Sequence, residues 1–254
     1  MRFRRFALAA VAAVGLCGGL GDVATAADLP GFAPVWNWTG FYAGLNAGGA
    51  WGTSNLDATV TGGFGPPNQT LVSGLDTLRL SPNGFTGGGQ LGYNYQVGNI
   101  VWGLEADFDY SGLNASSDRG PFTYVGGGTF ALSNSVKTDW LFTLRPRVGL
   151  AFDRFLPYVT GGLAVTDVKY SSSLTDFSGF GASNSNSVNS TKAGWALGGG
   201  VEYAVTPTWS VKAEYLYMDF GSVSMTDVSG YGARFSQSAS LKANIVRGGI
   251  NMKF

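Results

Sequence analysis

The sequence contains no histidine and only one cysteine among its 254 residues. Without histidine, the chain cannot build a Ser-His-Asp triad, a histidine-dependent protease site or a histidine-ligated zinc site. The one cysteine, Cys17, lies near the amino terminus, so the remaining chain has no disulfide available. We expect no catalytic, cofactor or metal site, and no enzyme activity. The scattered acidic residues are expected to be solvated: Asp57, Asp76, Asp118 and Asp227.

Charge is also scarce, because only 13% of the residues are charged and the 16 basic residues balance the 16 acidic ones. This balance gives no electrostatic case for binding nucleic acid. Long apolar runs are missing as well, and no stretch after residue 27 is long enough for a transmembrane helix. By contrast, 40 glycines and 14% aromatic residues make a composition unusual for a water-soluble globular protein.

The first 26 residues have the three parts of a secretory signal peptide. A basic start, an apolar run and a small-residue cleavage site follow one another: Arg2, Arg4 and Arg5, then residues 6–16, then residues 24–26. The apolar run is too short for a membrane anchor, and Leu16 before Cys17 argues against lipid attachment. We expect residues 1–26 to be a signal peptide and residues 27–254 to be one exported domain.

Eight segments alternate apolar and polar residues with the two-residue period of a β-strand that has one face in an apolar environment. They span residues 40–51, 85–97, 100–110, 138–152, 157–170, 193–205, 209–220 and 241–254. In the fifth segment Gly161 and Gly162 blur the alternation, so a β-bulge is an option there. An exported, helix-free chain with these segments predicts an all-β fold, an eight-stranded antiparallel transmembrane β-barrel in the cell outer membrane. Residues 27–254 are therefore expected to form one outer-membrane β-barrel domain.

The connections between these segments alternate between short and long. The short ones are residues 97–100, 153–156 and 205–208, and the long ones are residues 52–84, 111–136, 171–192 and 221–239. Short periplasmic turns and four long extracellular loops are the rule for such barrels, so we expect both chain ends at the periplasmic side. The third long segment contains a low-complexity Ser/Asn run, residues 178–190, which we expect to be mobile.

The last segment keeps its alternation up to Phe254, with Met252, Ile250 and Val246 on its apolar face. A barrel must pair its last strand with its first, because an open edge in lipid leaves backbone groups unpaired. We expect Phe254 and this lipid-facing stripe to act as the signal that the outer-membrane assembly machinery reads.

Charged residues occur at inward-facing positions of the predicted strands, at similar depth in the half of the lumen that is nearer the short turns. They are Glu105, Asp107, Arg145, Arg147, Glu202, Lys212, Glu214 and Arg247. They either fill the lumen as compensating ion pairs or line a gated pore or proton-linked site. An eight-stranded barrel has room inside for little more than side chains, which favours filling.

Several short motifs carry a family resemblance. They are Trp38-Thr39-Gly40-Phe41-Tyr42-Ala43-Gly44, Leu144-Arg145-Pro146-Arg147-Val148-Gly149, Pro157-Tyr158-Val159-Thr160-Gly161-Gly162, Gly200-Val201-Glu202-Tyr203 and Lys212-Ala213-Glu214-Tyr215-Leu216-Tyr217. Through them the chain resembles the small alphaproteobacterial outer-membrane immunogenic proteins, which are similar in architecture to opacity-type and OmpA-type barrels. The resemblance implies a structural outer-membrane role with antigenic surface loops. Pro146 departs from the family, which often has glycine there, and predicts a weakened or bulged fourth strand.

Three functions remain open for such a barrel. The first is structural, contributing to envelope integrity and surface display; the second is a porin for small solutes or ions; the third is an adhesin or receptor acting through its loops. The expected partners are outer-membrane lipid, lipopolysaccharide and the assembly machinery, with a host or surface ligand possible at the loops and no nucleic acid.

Overall fold

The computed structural model describes residues 36–179, 183–228 and 232–254. The expected signal peptide lies outside the described residues, as do residues 180–182 of the Ser/Asn run. The described chain forms eleven strands and one helix: β1 Gly40–Thr61, α1 Pro66–Asp76, β2 Leu78–Leu80, β3 Asn83–Val97, β4 Ile100–Ser111, β5 Asn114–Thr123, β6 Thr129–Lys137, β7 Trp140–Leu150, β8 Phe155–Asp176, β9 Asn184–Ala204, β10 Trp209–Val228 and β11 Arg234–Lys253.

Eight of these strands close into a ring of antiparallel pairs. The order is β1, β3, β4, β7, β8, β9, β10 and β11. The last strand then pairs with the first, from Tyr42 opposite Lys253 to Thr61 opposite Arg234. Since every strand of the ring has two neighbours at the end with the short turns, no backbone edge is left open there. The predicted eight-stranded antiparallel barrel and its three short turns are therefore confirmed.

The three additional strands are continuations of ring strands beyond short breaks. β2 leads into β3, β4 leads into β5, and β6 leads into β7, each across two residues. Pro82 lies in the first of these breaks, where its missing N–H interrupts a ladder. The fold is thus eight long strands, three of which are broken. We call the end with the short turns the lower half and the opposite end the upper half.

The expectation that the long segments are loops was wrong for most of their length. β1 runs on to Thr61, β8 runs to Asp176, and β9 begins at Asn184 inside the Ser/Asn run. The chain is also not helix-free, because Pro66–Asp76 forms α1. Its 11 residues are few, and among the residues described no helix is long and apolar enough to span a membrane.

In the upper half the ring divides into two four-stranded sheets. One sheet has the order β2-β1-β11-β10 and the other has the order β5-β6-β8-β9. The β9–β10 ladder ends where Trp195 lies opposite Asp219, and the β3–β4 ladder ends where Thr86 lies opposite Ser111. Helix α1 packs against β1 at this end of the molecule.

Of the two irregularities predicted from proline and glycine, the weakening at Pro146 is present and the bulge at Gly161 and Gly162 is absent. The β7–β8 ladder lacks pairs between Leu144 and Arg147, so Pro146 does weaken this side of the strand. The register is unchanged on both sides of the gap, so no bulge is present there. The β8–β9 register also runs without a shift past Gly161 and Gly162.

The outer surface of the lower half is a band of exposed apolar and aromatic side chains. Phe41, for example, is 67% exposed, and Leu45, Leu91 and Phe108 are similarly exposed. From Ile100 to Tyr110 this band covers one strand, which at about 3.3 Å per residue and a tilt of about 45° spans roughly 25 Å. That height matches the hydrocarbon thickness that transmembrane barrels present to lipid.

Candidate functional site

The lumen is filled by successive layers of buried side chains. The lowest layer is apolar and lies beside the short turns; it consists of Trp36, Trp38, Val101, Ala151, Leu156 and Ala204. Above it lies an ionic layer, in which four basic side chains meet five carboxylates. The two-residue alternation of the strands places all of these side chains on the inner face of the barrel. Each charge there needs a partner because water is excluded.

Arg145 lies at the centre of the ionic layer and is fully buried. Its guanidinium contacts three carboxylates, at 2.8 Å from Glu105, 2.9 Å from Asp107 and 3.1 Å from Glu214. Its Nε also donates to the hydroxyl of Thr143 at 3.0 Å. Such charge-assisted bonds are among the strongest that a side chain makes, and together they fix the arginine in one position.

Arg247 makes the same kind of contact from the closing strand. Its guanidinium donates to Asp107 at 2.7 Å, to Asp109 at 2.8 Å and to Glu214 at 2.8 Å. Asp107 and Glu214 are therefore shared between Arg145 and Arg247. The sharing links β4, β7, β10 and β11 across the lumen.

Arg147 and Lys212 complete the layer. Arg147 donates to Glu202 at 3.0 Å, and its guanidinium lies 4.7 Å from the ring centre of Tyr42 and 5.1 Å from that of Tyr158. Lys212 contacts both carboxylate oxygens of Glu105 at 2.9 Å. The structure thus brings together all eight charged residues named from the sequence.

Sequence reasoning missed the other members of this network. Asp109 lies on the predicted inward face of its strand but was left out of the charge set. Uncharged inward residues complete the hydrogen bonding: Tyr42, Asn46, Gln90, Asn94, Thr143, Tyr158, Ser210 and Asn251. The same two-residue parity that located the charges could have found them.

The carboxylates of this layer are engaged with basic side chains and hydrogen-bond donors. Among the residues that the structure describes, no cluster of acidic side chains is arranged to hold a metal ion. The arrangement can therefore tie strands together, whereas each carboxylate oxygen that could act as a base already accepts from arginine, lysine or a neutral donor.

An apolar layer covers the ionic one from above. It is made of buried apolar side chains from both sheets and from the strands below them: Ala50, Leu80, Leu113, Val136, Leu141, Ala164, Val168, Ala196, Leu216, Met218, Phe220, Val223, Leu241, Ala243 and Ile245. Leu216, Met218 and Ala164 have no exposed surface at all. The lumen is therefore closed by packed side chains above the charges as well as below them.

A second polar cluster anchors α1 inside the upper half. The carboxylate of Asp76, the last residue of α1, accepts from Asn134 Nδ2 at 2.8 Å and from Gln237 Nε2. Tyr170 donates to Asn134 at 2.6 Å, and Gln237 also donates to Ser172 at 2.9 Å. Asp76 was expected to be a solvated loop residue, but it is buried and ties the helix to both sheets.

The uppermost layer is an apolar core between the two sheets. It contains Val60, Val72, Tyr124, Phe130, Leu132, Leu174, Ala233 and Phe235. Val72 brings the buried face of α1 into this core, and the ring of Tyr124 stacks on Phe130 at 4.4 Å. Burial raises the pKa of the Tyr124 hydroxyl to about 12, and the nearby Asp176 carboxylate adds to the rise.

Phe254, the proposed assembly signal, lies apart from these layers. Its ring is 70% exposed on the outer surface, and its backbone N–H donates to the Phe41 carbonyl at 2.9 Å. The residue therefore extends the pairing of the last strand with the first. Its role in assembly stays a prediction.

Comparison with known proteins places this architecture in a family. A family model described as "Outer membrane protein beta-barrel domain" matches residues 9–254. The chain is 37% identical to a 31 kDa outer-membrane immunogenic protein of Brucella melitensis, over 89% of this chain and 88% of that protein. It is 35% identical to a 22 kDa outer membrane protein of Rhizobium leguminosarum, over 87% of this chain and 80% of that protein.

Among solved structures, Neisserial surface protein A aligns with 85% of this chain and 98% of its own chain, at 15% identity and a TM-score of 0.35. That similarity is too low to carry an argument. The family model and the two relatives agree with the closed ring and its apolar outer band. The chain belongs to the outer-membrane β-barrel proteins, is a relative of the alphaproteobacterial outer-membrane immunogenic proteins, and resides in the cell outer membrane.

Proposed function

We propose that this protein is a non-conducting, non-enzymatic barrel that contributes to envelope integrity and displays its upper half at the cell surface. The observation that carries the proposal is the filled lumen. Apolar, ionic, apolar, polar and apolar layers follow one another from the short turns to the top of α1.

A steady ion pore would have to pass the ionic layer. Moving Arg145 or Arg247 aside breaks contacts to three carboxylates each and leaves buried charges without partners. Unpairing a buried ion pair costs about 3–5 kcal/mol. The packed apolar layers on both sides add a further barrier to hydrated ions, so the geometry supports the structural function over the porin alternative.

The proposed partners follow from the outer surface. The apolar band fits lipid hydrocarbon, and the last strand with Phe254 fits recognition by the assembly machinery. Lipopolysaccharide fits the rim above the band, where Lys137, Lys169 and Lys242 reach solvent. Surface display is supported by the relatives named as immunogenic outer-membrane proteins.

Conductance of the refolded protein in a planar lipid bilayer tests the closed lumen. We expect no stepwise conductance from the wild type. Because the chain beyond Cys17 lacks cysteine, Thr143→Cys supplies a single thiol inside the ionic layer. Conductance steps in this variant that a thiol reagent blocks, while wild-type steps persist, would locate a pore in this lumen and contradict the proposal.

Labelling of intact cells tests the proposed orientation. We expect a cysteine at the exposed Ser185, in the upper half, to react with a membrane-impermeant maleimide. A cysteine at Asn99, in the turn between β3 and β4, should react only after the cells are opened. Labelling of the Asn99 position alone on intact cells would mean that the barrel is inserted the other way round.

A further inference from the structure

The two places where the upper sheets separate are treated differently by the sequence. One seam lies between β2 and β5, and the other lies between β9 and β10. At each seam a strand edge carries backbone groups that a ladder would otherwise satisfy. The two seams therefore form an internal comparison between a covered edge and an open one.

The β2–β5 seam is covered by side chains and by α1. Arg119 of β5 donates to the Leu75 carbonyl of α1. Asn68 of α1 exchanges two hydrogen bonds with the backbone of Val125, at 3.2 Å and 2.7 Å. Pro121 also lies on the β5 edge, where it removes an N–H donor that another strand could use.

The neighbouring edge of β1 is covered as well. The Ala58 N–H donates to the Thr77 hydroxyl at 3.2 Å, and the Val60 N–H donates to the Ser73 hydroxyl at 2.8 Å. Both hydroxyls come from α1 and the residue that follows it. The helix thus satisfies the backbone donors that the separation of the sheets exposes.

The β9–β10 seam lacks such cover among the described residues. The β9–β10 ladder ends at Trp195 and Asp219, yet β9 stays paired with β8 up to Asn184. Residues 184–194 of β9 therefore keep one ladder and present a second edge over about 35 Å, at about 3.3 Å per residue.

Lys192 lies at the lower end of this edge, but the longer part above it lacks the usual protection against strand pairing. Residues 184–191 read Asn-Ser-Asn-Ser-Val-Asn-Ser-Thr, with no charge and no proline. Natural sheet edges are commonly guarded by lysine, proline or bulges. The outward side chains Ser185, Ser187, Asn189 and Thr191 are exposed and short, so they leave the backbone accessible.

The separation of β9 and β10 is built into β10. A register shift lies between Asp219 and Ser222, and the Asp219 carboxylate accepts from the Gly221 N–H at 2.9 Å. Gly221 has a φ of +67°, a conformation that favours glycine. β10 therefore leaves β9 at a defined bulge, which increases local twist and bends the strand.

From these observations we propose that the open edge of β9, residues 184–191, binds an extended segment of another protein by β-strand addition. An extended backbone can pair with alternating N–H and C=O groups along the whole strand edge, and these main-chain hydrogen bonds give β-strand addition its affinity. Since the edge carries no charge, the segment that fits it is uncharged, free of proline and rich in β-branched residues.

A second copy of this chain fits the edge less well. Two copies in one membrane have their β9 strands running in the same direction, so these strands could pair only in parallel, which is the slightly less stable arrangement. The proposed exposure of the upper half at the cell surface decides only which proteins can reach the edge. Binding itself is measured on refolded protein, so the two proposals can fail separately.

The test uses a fluorescent, end-blocked octapeptide of alternating threonine and valine with refolded full-length protein in detergent micelles. We expect saturable binding by fluorescence anisotropy. A copy of the peptide that is N-methylated at alternate residues keeps the sequence but loses the N–H donors of one edge. We expect it to bind at least about tenfold more weakly, because β-strand addition takes its affinity from main-chain hydrogen bonds.

Two pairs of substitutions locate the binding edge. Ser185→Lys with Ser187→Lys guards the β9 edge and should weaken binding by about tenfold. Ser171→Lys with Ser173→Lys is the matched control, since these residues lie directly opposite on β8, which is paired on both sides. The control should change binding by less than about twofold, and a heat-dependent shift in gel mobility checks that each variant folds.

Three results would overturn the proposal. They are no saturable binding up to about 1 mM peptide, equal binding of the parent and N-methylated peptides, and equal loss in the two lysine pairs. A wild-type dimer in sedimentation that is abolished by the β9 lysines would make a second copy the occupant and would also overturn it.

Discussion

The lower and upper halves of the barrel place polar and apolar side chains in opposite ways on the same strands. In the lower half of β1, Tyr42 and Asn46 point inward while Phe41 and Leu45 point outward. Higher on the same strand, the apolar Leu56 and Val60 point inward, and Asp57 and Thr59 point outward. The pleat continues unchanged, so the difference lies in the surroundings.

This inversion shows where the solvent around the barrel changes. The lower half has lipid outside and can keep charges inside only if they are paired, as in its ionic layer. The upper half follows the rule of water-soluble proteins, with an apolar core between two sheets. Trp51 lies between the lipid-facing part and the water-facing part of β1, a position typical of aromatic residues at a membrane interface.

The largest effect is expected from Arg145→Ala in the lower half. The change removes one basic partner from each of three carboxylates and should lower the free energy of unfolding by about 3–5 kcal/mol. Urea unfolding in lipid vesicles measures the loss. Combining it with Asp107→Ala should restore part of the stability. A double variant that loses the plain sum of the two single losses would show that the residues are not coupled.

The inversion itself is tested with one substitution on each side of it. Leu45→Lys puts a charge on the lipid-facing surface and should cost about 2–4 kcal/mol. Thr59→Lys, outward on the same strand in the upper half, should cost about 0.5 kcal/mol or less. The same unfolding measurement serves both. Similar costs at the two positions would mean that they share one solvent.

Asp76→Ala should loosen the upper half alone. It leaves Asn134 and Gln237 without their acceptor, a loss of about 1–3 kcal/mol. We expect faster amide hydrogen exchange in α1 and unchanged exchange in the ionic layer. Asp57→Ala, an exposed acid on β1, is the control. Equal acceleration in both halves would show that they unfold as one unit.

The smallest effect on the folded barrel is expected at Phe254. Deleting it removes one hydrogen bond to Phe41, worth about 1 kcal/mol, but should lower the amount that reaches the outer membrane. Phe254→Ala keeps the backbone bond and removes the ring, so it separates the two contributions. Asn251→Gln is no neutral control, because Asn251 is buried against Gln90 and Glu202. Wild-type membrane levels in both Phe254 variants would exclude the ring as a signal.

The lower half could be predicted from the sequence because each strand there is paired on both sides and faces lipid on its outer surface. These surroundings require a strict alternation of apolar and polar residues in each strand. The ring, its turns and the inward charges all follow from that period. The alternation does not show which basic residue pairs with which acidic residue, since Arg145 on β7 contacts Glu214 on β10, across the lumen. Such contacts depend on strand tilt and closure, which no single segment records.

The upper half was misread for a different reason. β9 begins with Ser and Asn residues whose intrinsic preference is for turns, and only pairing with β8 makes them a strand. Helix α1 did leave a signal in Pro66 and Pro67 at its start, followed by Leu71 and Val72. Asp76 was misjudged because its burial depends on Asn134 and Gln237, which are distant in the chain.

The bulge in β10 also sets the phase of the strand. Below it the inward residues carry even numbers, such as Leu216 and Met218, and above it they carry odd numbers, such as Val223 and Met225. One extra residue in β10 opposite β11 produces the change. The same residues in an unbroken alternation, without the bulge, would turn Val223 and Met225 toward water. The bulge at Gly221 therefore keeps the upper part of β10 in step with the core that it covers.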